Sequence, residues 1–365
     1  MGGSERFVSN LSALQSSEFD VHIHTTTGSI RNAGTTSTNG ITFHRYYSPA
    51  TVWNINPLSF MLRGLMRSDS ALFHIHSYLY LSSNQAMLAK ILKKKKSILQ
   101  IHGGIGLPPY PTSLSKTVVK QFYDKTLGSF TVNHSDIVAS VSRTDLDHIA
   151  QRYGISESRL RYLQNAVDTE VFIPKKKRNE SNRKTVLYLG DFEPWKGVGL
   201  LVRWLNQKAA WDGFEVRFRF VGQGSLRPHL VALQQQLRIY ENSTSIEVLG
   251  PRQHHEIPSI LQEADILVLP SYWEGMPTVI LESMAAGVPV ISTRVGDIPR
   301  IIRNGEDGIL ISRSEKSFRS AIQLLLNDHG LARRISNNAR HLVSKYFSLP
   351  MMGRTAARIY ADLLG

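Results

Sequence analysis

The chain has 365 residues, 42% of them hydrophobic, and its 43 Lys and Arg against 29 Asp and Glu give a net charge of +14. Its length suits two domains, each able to bury its own core. Cysteine is absent, which excludes a disulfide framework, a thiolate metal site and a thiol nucleophile, and no uninterrupted apolar run approaches the roughly 18 to 20 residues of a membrane span.

The opening, MGGSER, lacks the pattern of a signal peptide, and Arg6 stands where N-myristoylation wants Ser or Thr. A cytoplasmic protein is therefore expected. Short β-rich runs then alternate with helix-length segments. DVHIHTT, ALFHIHS, SILQIHG and DIVASVS read as strands, with SSNQAMLAKILKKKK and SLSKTVVKQFYDKTLGSF as helical segments between them. The polar stretch FIPKKKRNESNRK, Phe172 to Lys184, reads as a linker and predicts a domain boundary near residue 172. The second half restarts with TVLYLG, EVRFRFVG, SIEVLG, DILVLP and VPVIST, again interleaved with helices. This alternation predicts an α/β fold with parallel sheets. Two such halves facing one another would bind a ligand in a cleft at their strand ends.

Both halves are basic: residues 1–165 carry 17 Lys and Arg against 9 Asp and Glu, and the remainder 26 against 20. The densest cluster, KILKKKKS from Lys90 to Ser97, favours an anionic partner such as nucleic acid, a lipid surface or a phosphorylated substrate. A solvated helix end is the plainer alternative. WNINPLSFMLRGLMRS and AMLAKILKKKK mix apolar and basic residues as membrane-surface helices do, although ordinary amphipathic packing gives the same pattern.

The most informative stretch is ADILVLPSYWEGMPTVILESMAAGVPVIST. Asp265 to Leu269 reads as a buried strand, Ser271 to Met276 as a loop, and Pro277 onward as a helix ending at Gly287. The helix amino end then sits at the carboxyl edge of the sheet, where N–H groups near Thr278 and Val279 form a phosphate site. Glu282 follows Thr278 by four residues, on the same face and about 6 Å along the axis. It is placed to accept hydrogen bonds from vicinal ribose hydroxyls, while Glu274 in the loop can reach another part of the same ligand. Acidic residues near a helix start are also common for dipole reasons alone. Lys196, in LYLGDFEPWKG, stands at a helix start after a strand and could neutralise a diphosphate. Gly222 and Gly224, in FVGQGS, offer a strand-to-helix turn.

In order and content these stretches resemble the retaining GT-B glycosyltransferases of family 4. The resemblance runs from GGSERFVSNLSAL through HIHS, IHGG, DIVASVS, LQNAVDTEVF, LYLGDFEPWKG and FVGQGS to EGMPTVILESMAAGVPVISTRVGDIPRIIRNGEDGIL. The Glu-x7-Glu segment with its Ala-Gly-x-Pro-Val tail is its specific part. The resemblance implies two Rossmann-like domains, an acceptor-binding one at 1–171 and a donor-binding one at 172–346, with a closing helix at 347–365 returning to the first. It implies a hexosyltransferase that takes a nucleoside-diphosphate sugar, UDP- or GDP-linked, as substrate, with no cofactor and no metal ion. The acceptor would be lipid-linked or a glycan, the anomeric configuration would be retained, and the enzyme would be cytoplasmic, at the membrane face.

By motif, Glu282 would bind the donor ribose, Glu274 the transferred sugar and Lys196 the diphosphate. Gly275, Met276, Pro277, Thr278 and Val279 would contribute backbone groups to the sugar and phosphates. Gly3 would approach the diphosphate, and Gly222, Gly224 and Ser225 would lie near the base. His102 in IHGG matches the family's histidine beside the reacting sugar, His76 is a second candidate on the acceptor side, and His74 reads as packing. With His102, Glu274 and Lys196 form the catalytic set.

Two departures stand out. Asp191 occupies the place where family members carry Arg after the glycine of LYLG, so another cation must substitute, Arg252 and Arg294 being candidates, or donor binding is weak. Family members also have a full strand before the Gly-Gly turn, where this chain has only Met1, which suggests an upstream segment and a native mass above 41.0 kDa. These departures support a second reading, a degenerate family member that binds nucleotide or glycan without turnover. An RNA-binding protein lacks a recognition motif with interleaved aromatics, and the Glu-x7-Glu segment argues against a nucleotide-sugar epimerase.

Overall fold

The structure, a computed structural model, describes residues 3–52, 56–103, 114–175, 182–206, 211, 213–239 and 244–365. The chain divides into two compact units, Met1–Asn165 with Leu349–Gly365, and Ala166–Ser348. The division falls at residue 166 and not at the linker read from 172, because the intervening segment is already fixed in the second unit. Val167 bridges to Ser348, its N–H donates to the Phe347 carbonyl at 2.9 Å, and Phe172 is buried with its ring 5.6 Å from that of His254. Of the expected linker, residues 176–181 lie outside the described residues.

In the first unit, β1 (Val21–Thr27), β2 (Gly34–Thr38) and β3 (Ile41–Tyr47) form a sheet in the order β1-β3-β2, with β1 parallel and β2 antiparallel to β3. A short antiparallel pair follows, β4 (Ala50–Val52) with β5 (Asn56–Leu58). Next, β6 (Leu72–His76), β7 (Lys96–Ile101), β8 (Ile137–Ser140) and β9 (Leu160–Tyr162) make a parallel sheet in that order. Both β1 and β6 thus stand at the edges of their sheets. The helices are α1 (Gly3–Gln15), α2 (Leu62–Arg67), α3 (Leu81–Leu92), α4 (Leu114–Tyr123), α5 (Ser129–His134) and α6 (Arg143–Tyr153). Alternation along β6 sends Phe73 and Ile75 into the core with Met87, Leu99, Ile101 and Val138, and so sets His74 and His76 together on the opposite face.

The second unit holds one six-stranded parallel sheet of β10 (Arg183–Leu189), β11 (Glu215–Val221), β12 (Thr244–Leu249), β13 (Ile266–Leu269), β14 (Val290–Thr293) and β15 (Ile309–Ile311). Its order is β12-β11-β10-β13-β14-β15, so the direction of strand addition reverses between β10 and β13. Every residue of β13 and β14 is buried, as in a parallel sheet covered on both faces. The helices between and after these strands are α7 (Val198–Leu205), α8 (Arg227–Ile239), α9 (Ile257–Gln262), α10 (Thr278–Ala285), α11 (Ile298–Ile301), α12 (Glu315–Asn327) and α13 (His329–Tyr346). The closing helix α14 (Leu349–Leu364) belongs to the first unit, where the Gln15 amide donates to the Gly353 carbonyl at 3.3 Å and the Tyr360 hydroxyl lies 2.7 Å from His74 Nδ1.

Candidate functional site

The strands β10 and β13 end side by side at the reversal of strand order, the place where open parallel sheets bind ligands. A short 3-10 turn, Pro194–Lys196, follows β10, and the loop of residues 270–277 follows β13. Two features hold them together. The Tyr272 N–H donates to the Trp195 carbonyl at 2.8 Å, and Gly197, with φ of 75°, runs so close that a Cβ there would stand 2.0 Å from the Pro270 carbonyl oxygen. Lys196 is thereby brought to Glu274, its ammonium donating to both carboxylate oxygens at 2.9 Å. The Ser271 hydroxyl donates to Glu274 Oε1 at 2.7 Å, and Thr293 Oγ1 donates to the Ser271 carbonyl at 2.6 Å. Glu274 is only 6% exposed, so the ion pair and the serine replace its lost hydration. The turn after β14 closes over this loop: the Asp297 N–H donates to the Gly275 carbonyl at 3.2 Å, and a Cβ on Gly296 would stand 1.9 Å from the Glu274 carbonyl oxygen.

Pro277 proves to be the N-cap of α10 and not its first helical residue. Its backbone is extended, at φ −72° and ψ 119°, and its carbonyl accepts from the Ile280 N–H at 3.2 Å. The proline ring fixes φ alone, which leaves ψ free to take the value the incoming loop requires. Met276 is buried, Gly275 would admit a Cβ without meeting any atom within 4 Å, and Thr278 and Val279 begin the helix. Glu282 lies one turn on, with its side chain 7% exposed and Oε1 3.1 Å from His254 Nε2. His254 opens a 3-10 turn after β12 that Gln253 and Glu256 cap reciprocally. Sequence reasoning missed this partner, because the box that caps its turn opens on Gln253 and not on the Ser or Thr that marks one in a sequence.

Past β11, Gly222, Gly224 and Ser225 form the expected strand-to-helix turn. Glu193, unremarked in the sequence, accepts from the Ser225 N–H at 2.9 Å and from its hydroxyl at 2.8 Å. Asp191 is exposed, and its carbonyl accepts from the buried Tyr188 hydroxyl at 2.8 Å. Burial, then the carboxylates of Glu274, Asp191 and Glu193, hold that phenol well above its ordinary pKa. Of the candidate replacement cations, Arg252 faces Glu256 at 3.8 Å, while Arg294 is exposed in the turn that closes over Gly275. A further arginine, Arg313, sits 4.8 Å over the ring of Tyr272.

The remaining expected residues fall in the first unit. Gly3 is the first residue of α1, in open space. His76 ends β6 and His102 follows β7, and their Nδ1 and Nε2 atoms share a hydrogen bond of 3.1 Å. The Phe7 ring meets both edge-on, at 4.8 Å from His102 and 5.9 Å from His76. His74 stacks on His76 at 4.5 Å. Burial is the main cause that favours the neutral rings, lowering His102 to about 4, His74 to about 3 and His76 well below its usual value. A second stack, His22, His24 and His44, links β1 to β3. Among the described residues no group of three or more His, Asp or Glu side chains is placed to hold a metal ion, and no helix is long and apolar enough to cross a membrane.

Comparison with known proteins divides the chain near residue 171. Residues 170–342 match the family described as Glycosyl transferases group 1, and residues 1–171 match Glycosyltransferase Family 4. An uncharacterized glycosyltransferase of Methanocaldococcus jannaschii is 26% identical over 283 residues, 76% of this chain and 73% of that protein. Several other curated relatives are matched over little more than half their length. The sucrose-phosphate synthase of Thermosynechococcus elongatus superposes with a TM-score of 0.77 at 18% identity, over 99% of this chain and 94% of that one. Anabaena HepE, solved in complex with UDP and glucose, superposes at 0.73 and 16% identity over 99% and 96% of the two chains. The likeness to solved structures gives the fold, two Rossmann-like domains of GT-B type, and with both halves matched the chain belongs to the GT-B glycosyltransferases of family 4.

Proposed function

We propose that the chain transfers a hexose from a nucleoside-diphosphate sugar, UDP- or GDP-linked, to a glycan or lipid-linked acceptor, with retention of anomeric configuration and without a metal ion. The observation that carries this reading is the gathering of Lys196, Glu274 and the start of α10 where β10 and β13 end. A cation, a helix amino end and two enclosed carboxylates suit a ligand that is anionic at one end and rich in hydroxyls at the other. The UDP bound by the Anabaena protein is such a group.

In this reading Glu282 accepts from the ribose hydroxyls, Gly222, Gly224 and Ser225 border the base, and Gly275 to Val279 border the sugar and diphosphate. Glu274 accepts from hydroxyls of the sugar. Lys196, paired with Glu274, turns one or more of its three N–H groups to the diphosphate. The bond between the anomeric carbon and the diphosphate oxygen breaks, and the acceptor hydroxyl forms the new bond from the same face, its proton passing to the departing diphosphate oxygen. Lys196 and the helix dipole stabilise the charge growing on the leaving diphosphate, the electrostatic term that usually dominates such steps. His102, oriented through its hydrogen bond to His76, serves the acceptor side as a neutral imidazole.

Asp191 favours a second reading, in which nucleotide binds and no transfer follows. Proton NMR of the protein with UDP- and GDP-hexoses separates the two. Release of nucleoside diphosphate, with the sugar first appearing in the donor's own anomeric form, supports transfer with retention. Binding without release leaves the non-catalytic reading, and first appearance of the opposite anomer contradicts retention.

A further inference from the structure

We infer that Glu193 reads the base of the donor and selects guanine over uracil, an inference that rests on the second unit holding a nucleoside-diphosphate sugar as proposed. The start of α10 and Lys196 suit the anionic end of that ligand, and Glu282, one turn into α10, is tied to His254 after β12. The nucleoside then runs from the ends of β10 and β13 toward those of β11 and β12, along the order β12-β11-β10-β13. In the turn after β11 this path meets the carboxylate of Glu193. Two backbone hydrogen bonds bring the loop after β10 onto that turn: the Phe192 N–H donates to the Gln223 carbonyl at 2.7 Å, and the Leu226 N–H donates to the Phe192 carbonyl at 2.8 Å. Phe192 is buried and anchors the pair. The glutamate lies so close across the turn that a Cβ on Gly224 would stand 2.8 Å from its Oε1.

Ser225 holds this carboxylate in place, its N–H donating to Oε1 at 2.9 Å and its hydroxyl to Oε2 at 2.8 Å. An ionised carboxylate has about four acceptor sites, so roughly half remain for a ligand. Glu193 is half-buried, Ser225 is exposed, and among the described residues no cation lies within ion-pair distance of the glutamate. Guanine presents a carbonyl, a ring N–H and an amino group in a row along one edge. Its two donors suit the carboxylate, and its carbonyl suits a donor of Ser225. Uracil presents a single N–H between two carbonyls, so a carboxylate accepting from it turns its second oxygen toward a carbonyl. A site built to bond a donor rejects the ligand that lacks it. The plainer role for Glu193, a cap for the amino end of α8, would bear on every nucleotide alike.

The test is titration calorimetry of the full chain with GDP, inosine diphosphate and UDP, for the parent, Glu193→Gln and Glu282→Ala, with a melting temperature for each protein. Inosine diphosphate lacks only the amino group of guanine, so it probes the second hydrogen bond without altering the protein. The parent should bind GDP on the order of ten-fold more tightly than inosine diphosphate, and more tightly still than UDP. Glu193→Gln should lose both preferences while holding UDP at least as well as the parent does. Glu282→Ala should weaken all three alike. Equal affinity of the parent for GDP and inosine diphosphate, or tighter binding of UDP, with binding lost in Glu282→Ala, overturns the inference and leaves the donor site standing. A Glu193→Gln protein that melts lower and loses the same factor for all three nucleotides assigns the residue to the α8 cap and overturns it too. Failure of all three to bind the folded parent overturns the donor-site reading along with it.

Discussion

Removing the Lys196 ammonium leaves the Glu274 carboxylate enclosed with the Ser271 hydroxyl as its side-chain donor, so the cost falls on stability before any ligand is added. Lys196→Ala should lose on the order of 3 kcal/mol in urea unfolding, and adding Glu274→Gln should recover part of it, since a neutral amide is cheaper to bury than an unpaired charge. His254→Ala should behave differently. Its ring is half exposed, so stability should change by less than about 0.5 kcal/mol. Losing its hold on Glu282 should nevertheless raise the nucleotide Kd about five-fold in titration calorimetry. The neutral histidines predict the pH profile. Their folded pKa values lie below the unfolded value of about 6.5, so between the two the unfolded chain binds more protons. Stability is complete above about pH 6.5 and is lost as pH falls toward 4, by about 1.4 kcal/mol per pH unit for each such histidine; a flat profile from pH 7 to 5 would contradict the buried neutral rings. At this scale the sequence showed Glu282 one turn beyond Thr278, because helical period fixes that spacing. It could not show His254 on Glu282 or Glu193 on Ser225, because those contacts depend on how separate strands of the sheet lie together.

Among the elements, the turn from β10 into α7 sets the donor-side geometry and rests on one glycine. Gly197→Ala would force both a left-handed backbone on a β-carbon and a clash with the Pro270 carbonyl. The expected cost is at least about 2 kcal/mol, with weakened nucleotide binding because Lys196 is the residue just before it. Native-like stability and binding in that variant would refute the tie between the two loops. The apolar runs that became β10, β13 and β14 were legible because strands covered on both faces are hydrophobic at nearly every position. The hairpin of β2 and β3 escaped notice although its signal is present. Asn39 and Gly40 both take positive φ, 52° and 75°, as the Asn-Gly pair of a two-residue hairpin turn does. The strand β2 is polar and exposed throughout, and β3 buries only Ile41, so the pair lacks the alternation of a half-buried hairpin and hydrophobic pattern alone gave little cue.

Across the whole molecule the last helix stabilises the unit that the chain's beginning forms. Tyr360 is buried, meets Phe19 edge-on at 5.7 Å and holds His74, so Tyr360→Ala should cost about 3 to 5 kcal/mol and increase hydrogen exchange in the first unit. Exchange in β10 to β15 should stay unchanged. The alternation of strand and helix made two parallel α/β units legible, and the family motifs ordered them. The strand pairing of the first unit, split between a mixed and a parallel sheet, was not legible, since pairing partners are chosen by tertiary packing and not by local pattern. The central claim is that the second unit holds a nucleoside-diphosphate sugar through Lys196, Glu274 and Glu282, and thermal shift against UDP-, GDP- and ADP-sugars tests it most directly. One nucleotide class should raise the melting temperature of the parent and not of Glu282→Ala, with about 2.7 kcal/mol of added stability at 100 times the Kd. No shift from any of the three, or an equal shift in the variant, would contradict the account.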